Sequence, residues 1–257
     1  MTKKVFDAYS HYYDLLYRDK NYKAETDYIC KNINELNPEA KSLLDLGCGT
    51  GRHDTEFHKR GFKTTGVELS EKMFRIAEKN KEHLSDKGKN LIFKNGDIRS
   101  LKLRKKYDVI VSLFHVMNYQ TKNADLDMTI KTVKKHLNTN GVFMFDFWYG
   151  PAVLQDKPIK RLKIIKDDKI MIKRKSTPFL KINENIVDVS FEILVTEKRT
   201  KKESVINEIH SMRYLFIPEI EMILDNNGMK LIHTEEWMSG KKLTDKSWSA
   251  FAIAKLK

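Results

Sequence analysis

Two cysteines in 257 residues, Cys30 and Cys48, are too few for a disulfide framework. Cys48 sits inside a glycine-rich turn, which points to a reducing compartment, the cytoplasm. No apolar run reaches the roughly 20 residues needed to cross a bilayer, and the opening Met1-Thr2-Lys3-Lys4 lacks the hydrophobic stretch of a secretory leader. A soluble chain with no membrane contact is therefore expected. A G-x-S-x-G nucleophile turn is also missing. His53 and His58 stand five apart without neighbouring ligand types, so they read as helix-surface histidines and no metal is expected.

What is there in quantity is positive charge. The net charge is +13, and residues 157–202 hold 14 Lys or Arg against 6 Asp or Glu, an excess of 8 in one region. On charge alone that region suits a nucleotide-linked sugar, a phosphorylated head group or nucleic acid, and a lysine-rich composition can also stand without any partner. The 40% hydrophobic content supports one full α/β domain with an elaboration.

The chemistry is concentrated in Leu43-Leu44-Asp45-Leu46-Gly47-Cys48-Gly49-Thr50-Gly51-Arg52-His53. An apolar run ending in three alternate glycines, followed by a segment able to start a helix, reads as strand, tight turn, helix. Glycine supplies positive φ there and keeps a Cβ away from a ligand lying on the backbone beside a helix N-terminus. A dinucleotide fingerprint would require a small residue where Arg52 stands, which weakens a nicotinamide or flavin reading. About twenty residues on, Thr64-Thr65-Gly66-Val67-Glu68-Leu69-Ser70 ends a second strand in Glu68, placed to accept hydrogen bonds from both ribose hydroxyls of an adenosine. Ser70 then caps a helix with Met73, Ile76, Ala77 and Leu84 on its inward face. Leu91-Ile92-Phe93 leads into Asn95-Gly96-Asp97-Ile98, and a fourth strand spans Tyr107 to Phe114.

Asp45 to Gly51 closely resembles the D-x-G-C-G-T-G motif of class I S-adenosylmethionine methyltransferases. The resemblance implies a Rossmann-like α/β fold with a seven-stranded mixed sheet whose last strand is antiparallel. It implies S-adenosylmethionine as methyl donor and S-adenosylhomocysteine as product. Asp45, Gly47, Cys48, Gly49, Thr50, Gly51 and His53 would surround the methionine part, and Glu68, Leu69 and Met73 the ribose. Asp97 and Ile98 would hold the adenine, with Leu113 at the reacting end.

Before the first strand, Tyr9, Tyr13 and Tyr17 make one stripe of a helix, and Tyr22 to Leu36 a second helix stopped by Pro38. The leading helix is expected to act as a lid over the donor. Leu126, Ile130, Val133 and Leu137 mark a helix over Asp125–Leu137, ended by Asn138-Thr139-Asn140-Gly141. Val142 to Phe147 is the fifth strand, and Trp148 at its end should border the substrate pocket. Between 159 and 216 the helical period gives way to alternating and β-branched runs separated by Asp167-Asp168, Asn183-Glu184-Asn185 and Thr200-Lys201-Lys202, an inserted antiparallel meander of about four strands. Pro218–Asn227 then forms a helix closed by Gly228, and two strands, Met229–Trp237 and Trp248–Leu256, complete the sheet. The boundaries are 1–38 for the lid, 39–158 for the donor-binding core, 159–216 for the insert and 217–257 for the completion of the core.

Tyr9-x-x-x-Tyr13-Asp14-x-x-Tyr17, Lys20 to Glu25, Cys48 to His53, Glu68-Leu69-Ser70, the insert's position and His210-Ser211-Met212-Arg213-Tyr214 resemble the sugar N-methyltransferases that build dimethylamino sugars on nucleotide carriers. That resemblance implies a small-molecule acceptor with an anionic group, preferred over nucleic acid, RNA or protein, and an insert that contributes to a homodimer and to a lip over the substrate. An O-methyltransferase or an amino-acid N-methyltransferase would share every donor contact. Two departures concern the acceptor: Tyr119 falls where that family carries a histidine, with His115 added, and the fifth strand ends Asp146-Phe147-Trp148 instead of Glu-Pro-Trp. Tyr13, His115 and Tyr119 are the candidate catalytic residues. Tyr9, Trp148, His210 and Arg213 are the candidate substrate contacts, the last two for an anionic part.

Overall fold

The computed structural model describes residues 10–86 and 88–257; Tyr9 lies outside the described residues. A leading helix α1 (Ser10–Leu16) and α2 (Tyr22–Leu36) precede the alternating β1 (Ser42–Leu46), α3 (Arg52–Lys59), β2 (Lys63–Glu68), α4 (Glu71–Glu82), β3 (Leu91–Asn95), β4 (Tyr107–Ser112), α5 (Asn123–His136) and β5 (Leu137–Trp148). After a short α6 (Gly150–Gln155) come the insert strands β6 (Arg161–Lys166), β7 (Ile170–Lys181), β8 (Ile186–Glu197) and β9 (Glu203–Arg213). Then α7 (Ile217–Asn226), β10 (Met229–Glu236) and β11 (Ser249–Leu256) end the chain. The main sheet has the order β10-β11-β5-β4-β1-β2-β3, with β1 to β5 parallel and β11 antiparallel between β5 and β10.

Both faces of this sheet are covered, which is why its strands are apolar runs and not alternations. On one face Leu43, Val109, Val111, Val142 and Met144 pack under Ile29 and Ile33 of α2 and Phe57 of α3. On the other, Leu44, Ile110, Phe143, Phe145 and Phe147 pack under α5 and α7. Consecutive residues of β5 thus serve opposite layers.

The helix end expected at Asn138–Gly141 is corrected by the structure. Helix α5 stops at His136, and Leu137 is already extended, fully buried and paired with Tyr107. A Cβ on Gly141 would stand 2.7 Å from Leu137 Cδ1, so this glycine serves leucine packing inside a bulged strand and not a helix cap. The six-residue α6 has no counterpart in the sequence reading, since fewer than two turns carry no detectable period.

The insert is a four-stranded antiparallel sheet in chain order, with its turns at the three expected places. Asp167 Oδ1 accepts from the backbone N–H of Lys169 and Ile170, both at 2.8 Å, which shapes the first turn. Its inner face holds Leu16 of α1 against Ile165, Ile172, Ile193 and Val195. The outer face leaves Leu162, Ile164, Phe179, Val205 and Ile209 exposed. Because fully buried Leu16 is the anchor of α1, Leu16→Ala should cost about 2–5 kcal/mol at that contact. Hydrogen exchange should show α1 deprotected while β1 and β4 keep wild-type protection; uniform protection would contradict this anchoring.

Candidate active site

Strand order reverses between β1 and β4, and ligands of doubly wound sheets collect outside the carboxyl ends of strands at that reversal. A cavity of about 630 Å³ occupies this place. The glycine turn is its floor, the segment after β4 its side, and α1 with the inner face of the insert its roof.

The three glycines of the turn do different work. A Cβ on Gly47 (φ +95°) would lie 2.5 Å from Val116 Cγ1, and one on Gly51 (φ +74°) would lie 2.4 Å from Phe93 Cζ. Both positions are glycine because neighbouring side chains fill the space. Gly49 (φ +57°) differs, since its nearest atom would be Met73 Cε at 3.6 Å, across open cavity. Gly47 and Gly49 both line the cavity, and of the two only Gly49 has open space where a Cβ would stand; this is the cradle.

Glu68, 7% exposed at the end of β2, closes the cradle. Its Oε2 accepts from Gly49 N at 3.0 Å and its Oε1 from Ser70 N at 2.7 Å. Burial raises its carboxyl above the ordinary range, and the backbone donors oppose that rise. Each oxygen has lone-pair capacity beyond these bonds, suiting a diol. Ser70 caps α4 as expected, its hydroxyl accepting from Met73 N. Asp97 is held by Arg99, which also reaches Asp125 at 3.0 Å; the guanidinium bonds keep the Asp97 carboxyl below its usual range. Asp97, Ile98, Leu69, Met73, Leu113, Cys48 and Thr50 all line the cavity.

Asp45 and Gly51 do not line it. Asp45 lies beneath the turn, 2% exposed, against fully buried Asp54. Burial, then the Asp54 charge, pushes the Asp45 carboxyl well up, and burial pushes Asp54 up to about 7. Unfolded, Asp54 loses its proton near its ordinary value of 3.8, while the folded protein retains it up to about 7. Between those values the folded state binds more protons, so stability falls as pH rises through this window, and Asp45, also held up, extends the fall beyond it. Melting temperatures of Asp54→Asn and wild type followed from pH 4.5 to 8.5 should diverge in this sense; parallel curves would contradict the pairing.

His53 does line the cavity, but its Nε2 is held 2.8 Å from Glu25 Oε2. Glu25 in turn takes a hydrogen bond from Lys20, whose ammonium lies 4.1 Å over the Phe114 ring. Sequence reading missed this Lys20–Glu25–His53 chain as a unit. It also left unassigned Asp14, whose Oδ1 accepts from Thr50 Oγ1 at 2.7 Å and ties α1 to the turn. Asp14 stands within the tyrosine stripe, and that was its only signal.

On the acceptor side Tyr13, His115, Tyr119, Trp148 and His210 all line the cavity. Tyr119 Oη lies 2.7 Å from His210 Nδ1, whose Nε2 is 3.1 Å from Glu208 Oε2. Arg213 is a correction. It is 8% exposed, paired with Glu219 and donating to the Thr121 carbonyl at 3.4 Å, and it is not part of the cavity wall. The reason is the strand period: residues three apart in β9 lie on opposite faces, so His210 and Arg213 cannot both turn inward. Arg161 and Arg174, from β6 and β7, line the cavity instead, the Arg174 guanidinium donating to Tyr17 Oη at 3.1 Å and lying over the Phe191 ring.

A glycine cradle closed by a carboxylate at a β1/β4 crevice, under the strand order with a reversed last strand, defines a methyl-transferring enzyme, and residues 43–141 match the methyltransferase domain family. The chain is a class I S-adenosylmethionine-dependent methyltransferase. Among characterised relatives it is similar to the dTDP-3-amino-3,4,6-trideoxy-alpha-D-glucopyranose N,N-dimethyltransferase of Streptomyces venezuelae, 29% identical over 90% of this chain and 94% of that one. Among solved structures it is similar to DesVI of Streptomyces venezuelae, with TM-score 0.80, 26% identity and coverage of 97% and 98%. An S-adenosylmethionine-dependent methyltransferase from Clostridium acetobutylicum gives TM-score 0.80 at 25% identity, with 98% of each chain covered.

Proposed function

We propose that this enzyme methylates the amino group of a nucleotide-linked sugar. The observation that carries the reading is the roof of the cavity: the insert contributes Arg161, Arg174, Ser176 and His210 to its lining, His210 being paired with Tyr119. Two guanidinium groups suit a diphosphate, while aromatic rings suit a sugar and a base. The relative from Streptomyces venezuelae, an N,N-dimethyltransferase of a dTDP-amino sugar, supports the same reading. Residues 39–158 with 217–257 hold the donor, the described part of the leading segment, 10–38, covers it, and 159–216 receive the acceptor.

The bound donor supplies a methyl group on a positively charged sulfur. The chain's own task is to hold donor and acceptor in line in a space closed to water, an effect worth several powers of ten in rate. Gly49 and Glu68 fix the donor end, and Tyr13, Trp148 and Phe191 shape the acceptor end.

The test is incubation with S-adenosylmethionine and a panel of nucleotide-linked amino sugars, read by mass spectrometry. One or two added methyl groups are expected. Transfer to RNA or to an acyl carrier substrate, with none to any amino sugar, would overturn the reading. Arg161→Ala should raise KM for the nucleotide sugar about 10- to 100-fold, the worth of one charge-assisted contact, and leave S-adenosylhomocysteine affinity unchanged by calorimetry.

A further inference from the structure

We propose that His115 is the base that deprotonates the acceptor amine, held in its productive tautomer by Asp146; the inference rests on the amino-acceptor reading above. His115 follows β4 at the reversal of strand order, beside the glycine turn that Val116 packs against. Phe114 and His115 both adopt φ +64°, in the left-handed region. Such a conformation costs about 1–3 kcal/mol per residue and persists only where surrounding structure imposes it. Here Asp146, 1% exposed, does so with one carboxylate. Both its oxygens lie 3.1 Å from His115 N, and Oδ2 lies 2.7 Å from His115 Nδ1. The backbone N–H is hydrogen-bonded to this carboxylate, and the ring forms an ion pair with it. Burial works against ionising Asp146, yet the neighbouring imidazole and its hydrogen bonds hold the carboxyl below its usual range.

With Nδ1 at the carboxylate, Nε2 is the remaining nitrogen of a ring whose side chain is 21% exposed and lines the cavity. Tyr13 and Tyr119 are the other candidates: Tyr13 packs against Tyr17 with ring centroids 4.8 Å apart, and the geometry disfavours Tyr119. Burial pushes its hydroxyl well above the ordinary value, with the charges of Tyr17, Glu208 and Glu68 adding to the rise. His210, to which it is bonded, is 2% exposed and engaged at both nitrogens. Lys20 lies over the neighbouring Phe114 ring, and Tyr17, just past α1, packs edge-on against it. Glu68, Arg174 and His210 line the same cavity, and Asp45 lies within electrostatic reach of Asp146.

In the step, the protonated amine gives one proton to His115 Nε2, and Asp146 pairs with the resulting imidazolium. The freed nitrogen lone pair forms a bond to the methyl carbon as the carbon–sulfur pair passes to sulfur. A neutral thioether and a protonated N-methylamine result, and His115 returns its proton to water.

His115→Gln should lower kcat about 10²–10⁴-fold at neutral pH. Its rate should recover as pH rises and the amine loses its proton unaided, with S-adenosylhomocysteine affinity within about twofold of wild type. Asp146→Asn should lose at least about tenfold, because the amide no longer selects the tautomer. Nitrogen-15 NMR of the ligand-free protein supplies a readout apart from turnover: His115 should carry its proton on Nδ1 in wild type and shift toward Nε2 in Asp146→Asn. Nε2 protonation in neutral wild type, or a His115→Gln enzyme with the wild-type rate and pH profile, would overturn the assignment, whether or not Asp146→Asn folds. If the wild type methylates no amine at all, the acceptor reading fails first and the base falls with it.

Discussion

Glu68→Ala weakens binding of S-adenosylhomocysteine by about 2–4 kcal/mol, roughly 30- to 1000-fold, the loss of two charge-assisted hydrogen bonds to a diol. The carboxylate is nearly buried at the end of β2, with Gly49 N and Ser70 N already donating to it. Its removal therefore takes away ligand contacts and leaves two backbone donors of the cradle without their acceptor. Glu68→Gln is no rescue, because its NH₂ would face one of those donors. Since burial raises this carboxyl and the diol needs the ionised form, wild-type affinity should also decline as pH is lowered. Calorimetry on both variants checks this, and an unchanged dissociation constant for Glu68→Ala would contradict the role of Glu68.

Gly49→Val should abolish detectable donor binding and leave a folded protein. Its added Cβ meets only Met73 Cε, at 3.6 Å, so packing is spared. The side chain projects into the space a ligand needs, and a β-branched residue at φ +57° costs about 1–2 kcal/mol. Gly51→Val should do the reverse. Its Cβ would be driven against the Phe93 ring, 2.4 Å away, and overpacking of that kind costs about 1–3 kcal/mol before backbone strain is added. Melting temperature and calorimetry together separate the two: Gly49→Val retains most of its melting temperature but not its ligand, and Gly51→Val melts early. A Gly49→Val protein that binds S-adenosylhomocysteine normally would refute the cradle.

Much of the donor half was legible from local pattern, because a strand, a glycine turn and a capped helix are specified by neighbours in sequence. Ser70 before Met73, and the turns at Asp167 and Asn185, needed no distant partner to be recognised. The misreadings arose where a residue's role is set by packing. Gly141 resembled a helix stop and is a glycine because Leu137 crowds it. Arg213 resembled an anion contact, but strand alternation turns it to Glu219.

The sequence by itself determined the strand, glycine turn and capped helix of the first half and the β insertion, since each rests on short-range periodicity and on glycine's access to positive φ. The resemblance to class I methyltransferases implied the sheet and the ligand of the turn. Only the tertiary structure decided which glycine borders open cavity, which arginines line it, and that Asp146 of β5 meets His115 after β4. Those pairings join residues far apart in the chain, and the register between strands, which brings them within hydrogen-bonding distance, is decided by the packing of the whole sheet.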